Sequence, residues 1–278
     1  MISTNSQKQL DFVKEKLRLN ISHDSIIDLA IILGSGLEFT LPMKSSQILA
    51  YSDIPGLPQI GVKGHKGHMV LGEIEGSAKK SLKVLIFAGR FHLYEGYNPE
   101  QVQSLIQLII GLQAKNLLIT NAAGGIAENL QVGDLMIINE IKDYQNDGEL
   151  NSSRGLLNCL TKPTLKVDTN LTSFLKSLNS SDEINLKQGI YAAVLGPNFE
   201  TDAEIQLFRN QGCSAVGMST YLEMKLALEK NLNVAALSII TNSWCQKGQP
   251  SHQEVLENSK LAQKKLDAVI SKILDDIT

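Results

Sequence analysis

The sequence predicts an α/β fold, a single domain with a central mixed β-sheet flanked by helices, and three observations carry that prediction. Short apolar, β-branched runs recur along the chain. Helical patterns with recognisable start signals lie between them. The runs end in glycine or polar turns. A strand buried on both faces reads as a near-continuous apolar run. Such runs occur at Ile26–Leu33, Lys83–Ala88, Asn116–Thr120, Asp134–Asn139, Gly189–Val194, Ala215–Met218 and Asn233–Thr241. Strands alternating with helices imply a largely parallel or mixed sheet.

The helices carry their own signals. Asn98 reads as an N-cap with Pro99 at the first helical position, followed by an apolar stripe of Val102, Leu105, Ile106, Ile109 and Leu112. Thr201-x-x-Glu204 and Thr220-x-x-Glu223 both match the capping box, and Gly212 suits the end of the first of these helices. Ala262, Leu266, Val269, Ile273 and Ile277 recur at helical spacing and predict a long amphipathic C-terminal helix. One stretch stands apart. Tyr144–Lys187 is rich in Asn, Ser, Asp and Lys, with a weak helical pattern around Leu171–Leu178, and long loops inside a compact domain are usually functional or mobile. It is not composed like a linker and there is no internal repeat, so residues 1–278 are expected to form one domain.

Composition narrows the function classes. Of 278 residues, 26 are Lys or Arg and 29 are Asp or Glu, a net charge of -3 that gives no support for a nucleic-acid or anionic-membrane partner. Seven Phe, six Tyr and one Trp leave little material for base-stacking platforms. Cys159, Cys213 and Cys245 form no C-x-x-C, so neither a zinc cage nor a disulfide framework is expected. No signal-peptide block or membrane-spanning run is present, and the cytoplasm is the expected compartment.

In an open α/β sheet, ligands collect at the carboxyl ends of strands. The first strand ends in Gly34-Ser35-Gly36, a turn that can aim amides and one hydroxyl at an anion. Another ends in Gly89-Arg90-Phe91-His92, where Arg and His two apart can converge on the same anion. Gly61–His68 is a glycine-spaced basic loop that brings His65. Asn121-Ala122-Ala123-Gly124-Gly125 offers small residues that let a planar or sugar-like ligand approach the backbone. Phe199-Glu200 places an aromatic face beside a carboxylate suited to the N–H edge of a heterocycle, and Asn242 adds an amide that both donates and accepts. Ser219 precedes a helix start, where amides favour an anion, and His252 opens the last helix. Each of these has an ordinary structural reading. Together the strand ends offer a phosphate set (Ser35, His65, Arg90, His92, Ser219) and a heterocycle set (Phe199, Glu200, Asn242).

The strings Gly89-Arg90-Phe91-His92-x-Tyr94-Glu95-Gly96-Tyr97, Thr120-Asn121-Ala122-Ala123-Gly124-Gly125, Gly196-Pro197-x-Phe199-Glu200-Thr201 and Val216-Gly217-Met218-Ser219-Thr220 occur in that order. On them the chain resembles the trimeric, low-molecular-mass purine nucleoside phosphorylases, a family that also contains methylthioadenosine phosphorylases. The resemblance implies that Ser35, His65, Arg90, His92, Ser219 and the backbone N–H of Ala122 bind phosphate. It implies that Tyr94, Met218 and His252 touch the ribose, and that Phe199, Glu200, Val216 and Asn242 form the purine pocket. Asn242, Glu200 and His92 are the expected catalytic residues.

The implied reaction is reversible phosphorolysis of purine (deoxy)ribonucleosides to free base and (deoxy)ribose 1-phosphate. Phosphate is co-substrate, no metal or organic cofactor is needed, and the protein is expected to be a homotrimer. Asn at position 242, with Ser219 rather than Thr, goes with 6-oxopurines in the family. Methylthioadenosine phosphorolysis, phosphate-independent nucleoside hydrolysis and silent purine binding are the rivals. The chain departs from the family at Glu140-Ile141-Lys142-Asp143-Tyr144, which replaces a familiar Asp-His-Ile-Asn-Leu string, and at Ser243, which replaces a common Lys. No Phe lies between Phe91 and Phe174 to reach a neighbouring subunit's ribose as the family's does. Tyr144 and Leu157 are the candidates in its place.

Overall fold

The computed structural model describes residues 4–19, 27–62, 64–76, 80–145, 164–180, 184–245 and 251–278. Ten strands form one mixed sheet: β1 (Leu29–Leu33), β2 (Lys44–Ala50), β3 (His68–Glu75), β4 (Ser81–Ala88), β5 (Asn116–Gly125), β6 (Leu135–Tyr144), β7 (Leu165–Lys166), β8 (Leu186–Val194), β9 (Ala215–Gly217) and β10 (Asn233–Ser243). The helices are α1 (Thr4–Lys16), α2 (Pro99–Val102), α3 (Ser104–Gly111), α4 (Asn170–Ser177), α5 (Asp202–Asn210), α6 (Tyr221–Glu229) and α7 (His252–Asp276).

Period-two alternation puts successive strand residues on opposite faces, and both faces of this sheet are covered. Leu29, Ile31 and Leu33 of β1 pack with α4 and α7 residues such as Leu171, Leu266 and Ile270. Ala30 and Ile32 pack with Val13, Leu105 and Met224 from α1, α3 and α6. That two-sided burial is why β1 reads as an unbroken apolar run. A smaller cluster seats Ile205 and Phe208 of α5 against Ala192 and Val216.

The ladder divides at β5. One edge of β5 carries β10, parallel from Asn233↔Asn116 to Ser243↔Gly125. The other edge carries β1, parallel, over Asn116–Ile119 only, and then β9, antiparallel, at Gly124 and Gly125. β1 and β9 thus run toward each other along the same edge, and their C-terminal ends face across a gap at Thr120–Ala123. Beyond β5, the β9, β8, β6 and β10 strands pair in turn and close a five-stranded ring, while β1, β4, β3 and β2 extend the sheet the other way.

Several expectations shift. The strand expected to stop at Thr120 runs on to Gly125, because ladder partners on both edges hold residues that have little strand preference of their own. The strand expected to stop at Asn139 continues through Glu140–Tyr144, with a register shift at Asn139 against β8. The segment that stood apart as a loop contributes β7, α4 and the start of β8, and its residues 146–163 lie outside the described part. The helix expected from Pro99 is two short ones, interrupted at Gln103, whose side-chain amide reaches the Leu222 carbonyl (2.9 Å). The capping box at Thr201 and the long C-terminal helix form as read.

Gly34, just past β1, lies against β5. A Cβ there would sit 2.8 Å from the Asn121 Cα, and neither backbone can yield. Overpacking of this kind costs about 1–3 kcal/mol, so Gly34→Ala should lower the melting temperature by about 3–8 °C in a thermal scan.

Candidate functional site

The gap between β1 and β9 opens into a cavity of about 350 Å³, within the range of small-molecule sites. Ser35 after β1, Ala122 and Ala123 of β5, Val216–Ser219 at the end of β9 and Asn242 near the end of β10 all line it. The segments 90–94 and 197–200 complete the wall.

One set of lining residues is built to receive an anion. Arg90 is 1% exposed. Its Nε donates to Glu223 Oε1 (3.1 Å), and its Nη1 donates to the Thr120 carbonyl (2.7 Å) and Ser219 Oγ (3.3 Å). Its Nη2 is buried and has no hydrogen-bond partner among the described residues. Leaving a charged donor unmatched in a dry interior costs several times an ordinary hydrogen bond, so this nitrogen marks a place for a ligand oxygen. Ser35 Oγ lies 3.3 Å from His65 Nε2. The His92 ring is 5.3 Å from His65 and stacks on Tyr94 at 4.7 Å. Glu95 Oε2 accepts the His92 backbone N–H (2.9 Å) and lies 3.1 Å from His92 Nδ1. Burial alone would raise the Glu95 carboxyl. The hydrogen bonds from His92 and from the Gly61 N–H outweigh it and hold the group below its ordinary range.

A second set of lining residues suits a flat, polar-edged group. Phe199, Glu200, Val216 and Asn242 belong to it. Burial pushes the Glu200 carboxyl up to about 7, and the charge of Glu204 adds to the effect. No cation among the described residues pairs with it. The β10 ladder shifts register between Ile240 and Asn242, and such a bulge re-aims the following side chain. The Asn242 Oδ1 then accepts from Thr241 Oγ1 (3.2 Å). Gly124 has no room for a side chain: a Cβ there would lie 2.8 Å from Trp244 Nε1 and 2.9 Å from Asn242 Nδ2.

Just after Ser219 the backbone is held in an unusual state. Thr220 has φ +77°, an outlier for a β-branched residue that costs about 1–3 kcal/mol. Its hydroxyl accepts from Asn121 Nδ2 (2.9 Å), a buried contact that holds the turn presenting Ser219. This corrects the second expected capping box. Thr220 makes no cap hydrogen bond, and an N-cap needs an extended backbone that this residue lacks. Glu223 turns inward to Arg90 instead.

Twelve of the thirteen expected site residues line this one cavity: Ser35, His65, Arg90, His92, Tyr94, Ala122, Phe199, Glu200, Val216, Met218, Ser219 and Asn242. The thirteenth, His252, begins α7, and its side chain lies outside the described part. Tyr144 packs on Phe208 (4.7 Å) and is not part of the wall, while Leu157 lies outside the described residues. Four residues behind the wall escaped the sequence reading: Glu95, Thr120, Glu223 and Trp244. Glu95 stands three residues from His92 in the same string and could have been found there. Among the described residues no group of His, Cys, Asp and Glu could hold a metal ion, and no helix is long and apolar enough to cross a membrane.

The raised Glu200 value has a consequence for stability. A carboxyl of ordinary pKa 4.5 that titrates at about 7 in the fold contributes stability that is fully present below pH 4.5. That stability is lost as pH rises through about 7. Glu200→Gln removes the titration, so the variant should match the wild type at acid pH and exceed it by about 2 kcal/mol at pH 8. Denaturant unfolding at the two pH values measures this.

Comparison with known proteins agrees with the geometry. A family model for the phosphorylase superfamily matches residues 28–275. Purine nucleoside phosphorylase 1 of Bacillus subtilis is 36% identical over 238 residues, covering 82% of this chain and 84% of its own. A Schistosoma purine nucleoside phosphorylase solved in complex with guanosine superposes with a TM-score of 0.77 at 28% identity, covering 99% of this chain and 97% of that one. The Schistosoma mansoni protein solved with adenosine gives 0.76 at the same identity and coverage. With a family match that spans nearly the whole sheet and its helices, the chain belongs to the phosphorylase superfamily.

Proposed function

We propose that this chain catalyses the reversible phosphorolysis of purine nucleosides and prefers 6-oxopurines such as inosine and guanosine. The observation that carries the reading is the meeting of two unlike residue sets in one cavity. An unpartnered Arg90 Nη2 lines it together with Ser35, His65, His92 and Ser219, and Glu200 and Asn242 line the same space.

In this reading phosphate lies against Arg90, Ser219, Ser35 and the histidines, with the Ala122 N–H as a further donor. One of its oxygens attacks C1′ of the nucleoside as the C1′–N9 bond breaks. The sugar becomes cationic in the transition state and the departing purine gains the bonding electrons. Holding the nucleophile on fixed donors converts a bimolecular encounter into an oriented one. The phosphate's own charge also stabilises the cationic sugar. Negative charge gathers at N7 and O6 of the base, where the Asn242 amide donates, and Glu200 accepts the N1–H. Tyr94 and Met218 hold the ribose, with His252 toward its 5′ end. The chemistry requires no metal or organic cofactor.

Specificity follows from the same atoms. Ionised Glu200 matches the N1–H of a 6-oxopurine and meets a lone pair on the N1 of a 6-aminopurine. A buried mismatch of that kind discriminates strongly. We further propose a cytoplasmic homotrimer. Phe199 lines the cavity yet is 38% exposed, an open side that a neighbouring subunit would cover, and Cys213 and Cys245 are free thiols.

The test is base release from inosine, guanosine, adenosine and methylthioadenosine, each with and without phosphate. Rapid release from the 6-oxopurine nucleosides only with phosphate is expected. Release without phosphate, or a preference for methylthioadenosine, would overturn the reading. Asn242→Asp should lower kcat/KM for inosine by about a hundredfold and shift the ratio toward adenosine in the same assay.

A further inference from the structure

The Arg90 side chain is held from behind by a residue that the reaction scheme does not use. Glu223, on α6, is 1% exposed, as is Arg90, and its Oε1 accepts from Arg90 Nε at 3.1 Å. Its second oxygen, Oε2, is buried and has no hydrogen-bond partner among the described residues. An arginine offers five N–H donors. Here one is spent on Glu223, the Nη1 pair on Thr120 and Ser219, and the Nη2 pair is left over. The guanidinium that faces the cavity is therefore already matched by one full negative charge. Glu95 stands behind His92 in the same manner, at 3.1 Å from Nδ1.

A buried cation needs a counter-charge when the cavity is empty, because a lone charge in a dry interior is strongly destabilising. The same counter-charge repels any anion that arrives on the cation's other side, and at such distances in protein the repulsion is substantial. We propose that Glu223 is a positioning residue and the resident counter-ion of Arg90. It keeps the guanidinium buried and oriented in the empty site, and it holds the affinity for phosphate low enough that phosphate and a sugar phosphate product can leave. The inference rests on the reading of Arg90 as the ligand of phosphate.

The experiment is calorimetric titration of inorganic phosphate into the full-length wild type, Glu223→Gln and Glu223→Asp, with kcat and the phosphate KM measured beside it. Gln keeps an acceptor for Nε and removes the charge. Phosphate then becomes the missing counter-ion, and its Kd should fall by about tenfold. Its KM should fall with it, kcat should fall as product release slows, and phosphate should raise the melting temperature of the variant more than that of the wild type. Asp keeps the charge but withdraws it by one methylene, so a smaller gain in the same direction is expected, and this variant decides the matter if the Gln form does not fold. A purely structural role would weaken binding, never tighten it. Unchanged or weaker phosphate affinity in the variant measured overturns the proposal. Failure of the wild type to bind phosphate would refute the reading of Arg90 itself, a separate result.

Discussion

The structure depends on the sharing of one edge of β5 between two strands that run toward each other. β1 leaves that edge after Ile119, and β9 joins it at Gly124. Backbone groups left between two strand ends are free to face a ligand, and the turns that follow each strand are brought to the same place. Ser35 arrives from one side and Met218-Ser219 from the other. The small residues Ala122 and Ala123 form the floor. The opposite edge is paired with β10 from Asn116 to Gly125, and the one register shift in that ladder sets Asn242 beside the floor.

The two sets of residues around the cavity are tuned in opposite electrostatic directions. In the anion set two of the groups are backed by a carboxylate: Glu223 behind Arg90 and Glu95 behind His92. The Arg90 charge is balanced before any ligand enters, while its Nη2 keeps N–H groups to give. In the other set Glu200 is half-buried without a cation among the described residues, and its carboxyl is easier to protonate than an ordinary one. The strained Thr220 backbone follows Ser219 directly. Strain and unmatched charge are tolerable because the surrounding sheet is closed on both faces by apolar side chains. Functional sites are where a protein commonly sacrifices stability in this way.

Much of this was legible in the sequence, and the exceptions share a cause. The central strands declare themselves because two-sided burial demands unbroken apolar runs, as in Leu29–Leu33. β2 was not read: most of Lys44–Ala50 is exposed, and an edge strand needs no apolar pattern. β3 was obscured by Gly72, whose missing side chain makes room for Met43. The site residues at strand ends were legible because turn chemistry is local. Glu223 was not, because Thr-x-x-Glu spells a capping box in either backbone state. Only the left-handed Thr220 decides that the carboxylate turns inward. Trp244 likewise acquires its place from Gly124, far away along the chain.

The partners of Arg90 lie 30, 129 and 133 residues away in the chain, at Thr120, Ser219 and Glu223. No short segment can assemble this arrangement, because each contact closes a long loop whose entropy must be offset by the surrounding fold. A fragment lacking any one of these three segments leaves the guanidinium without part of its frame. The anion site is therefore a property of the whole chain, and no excised piece of it carries the site.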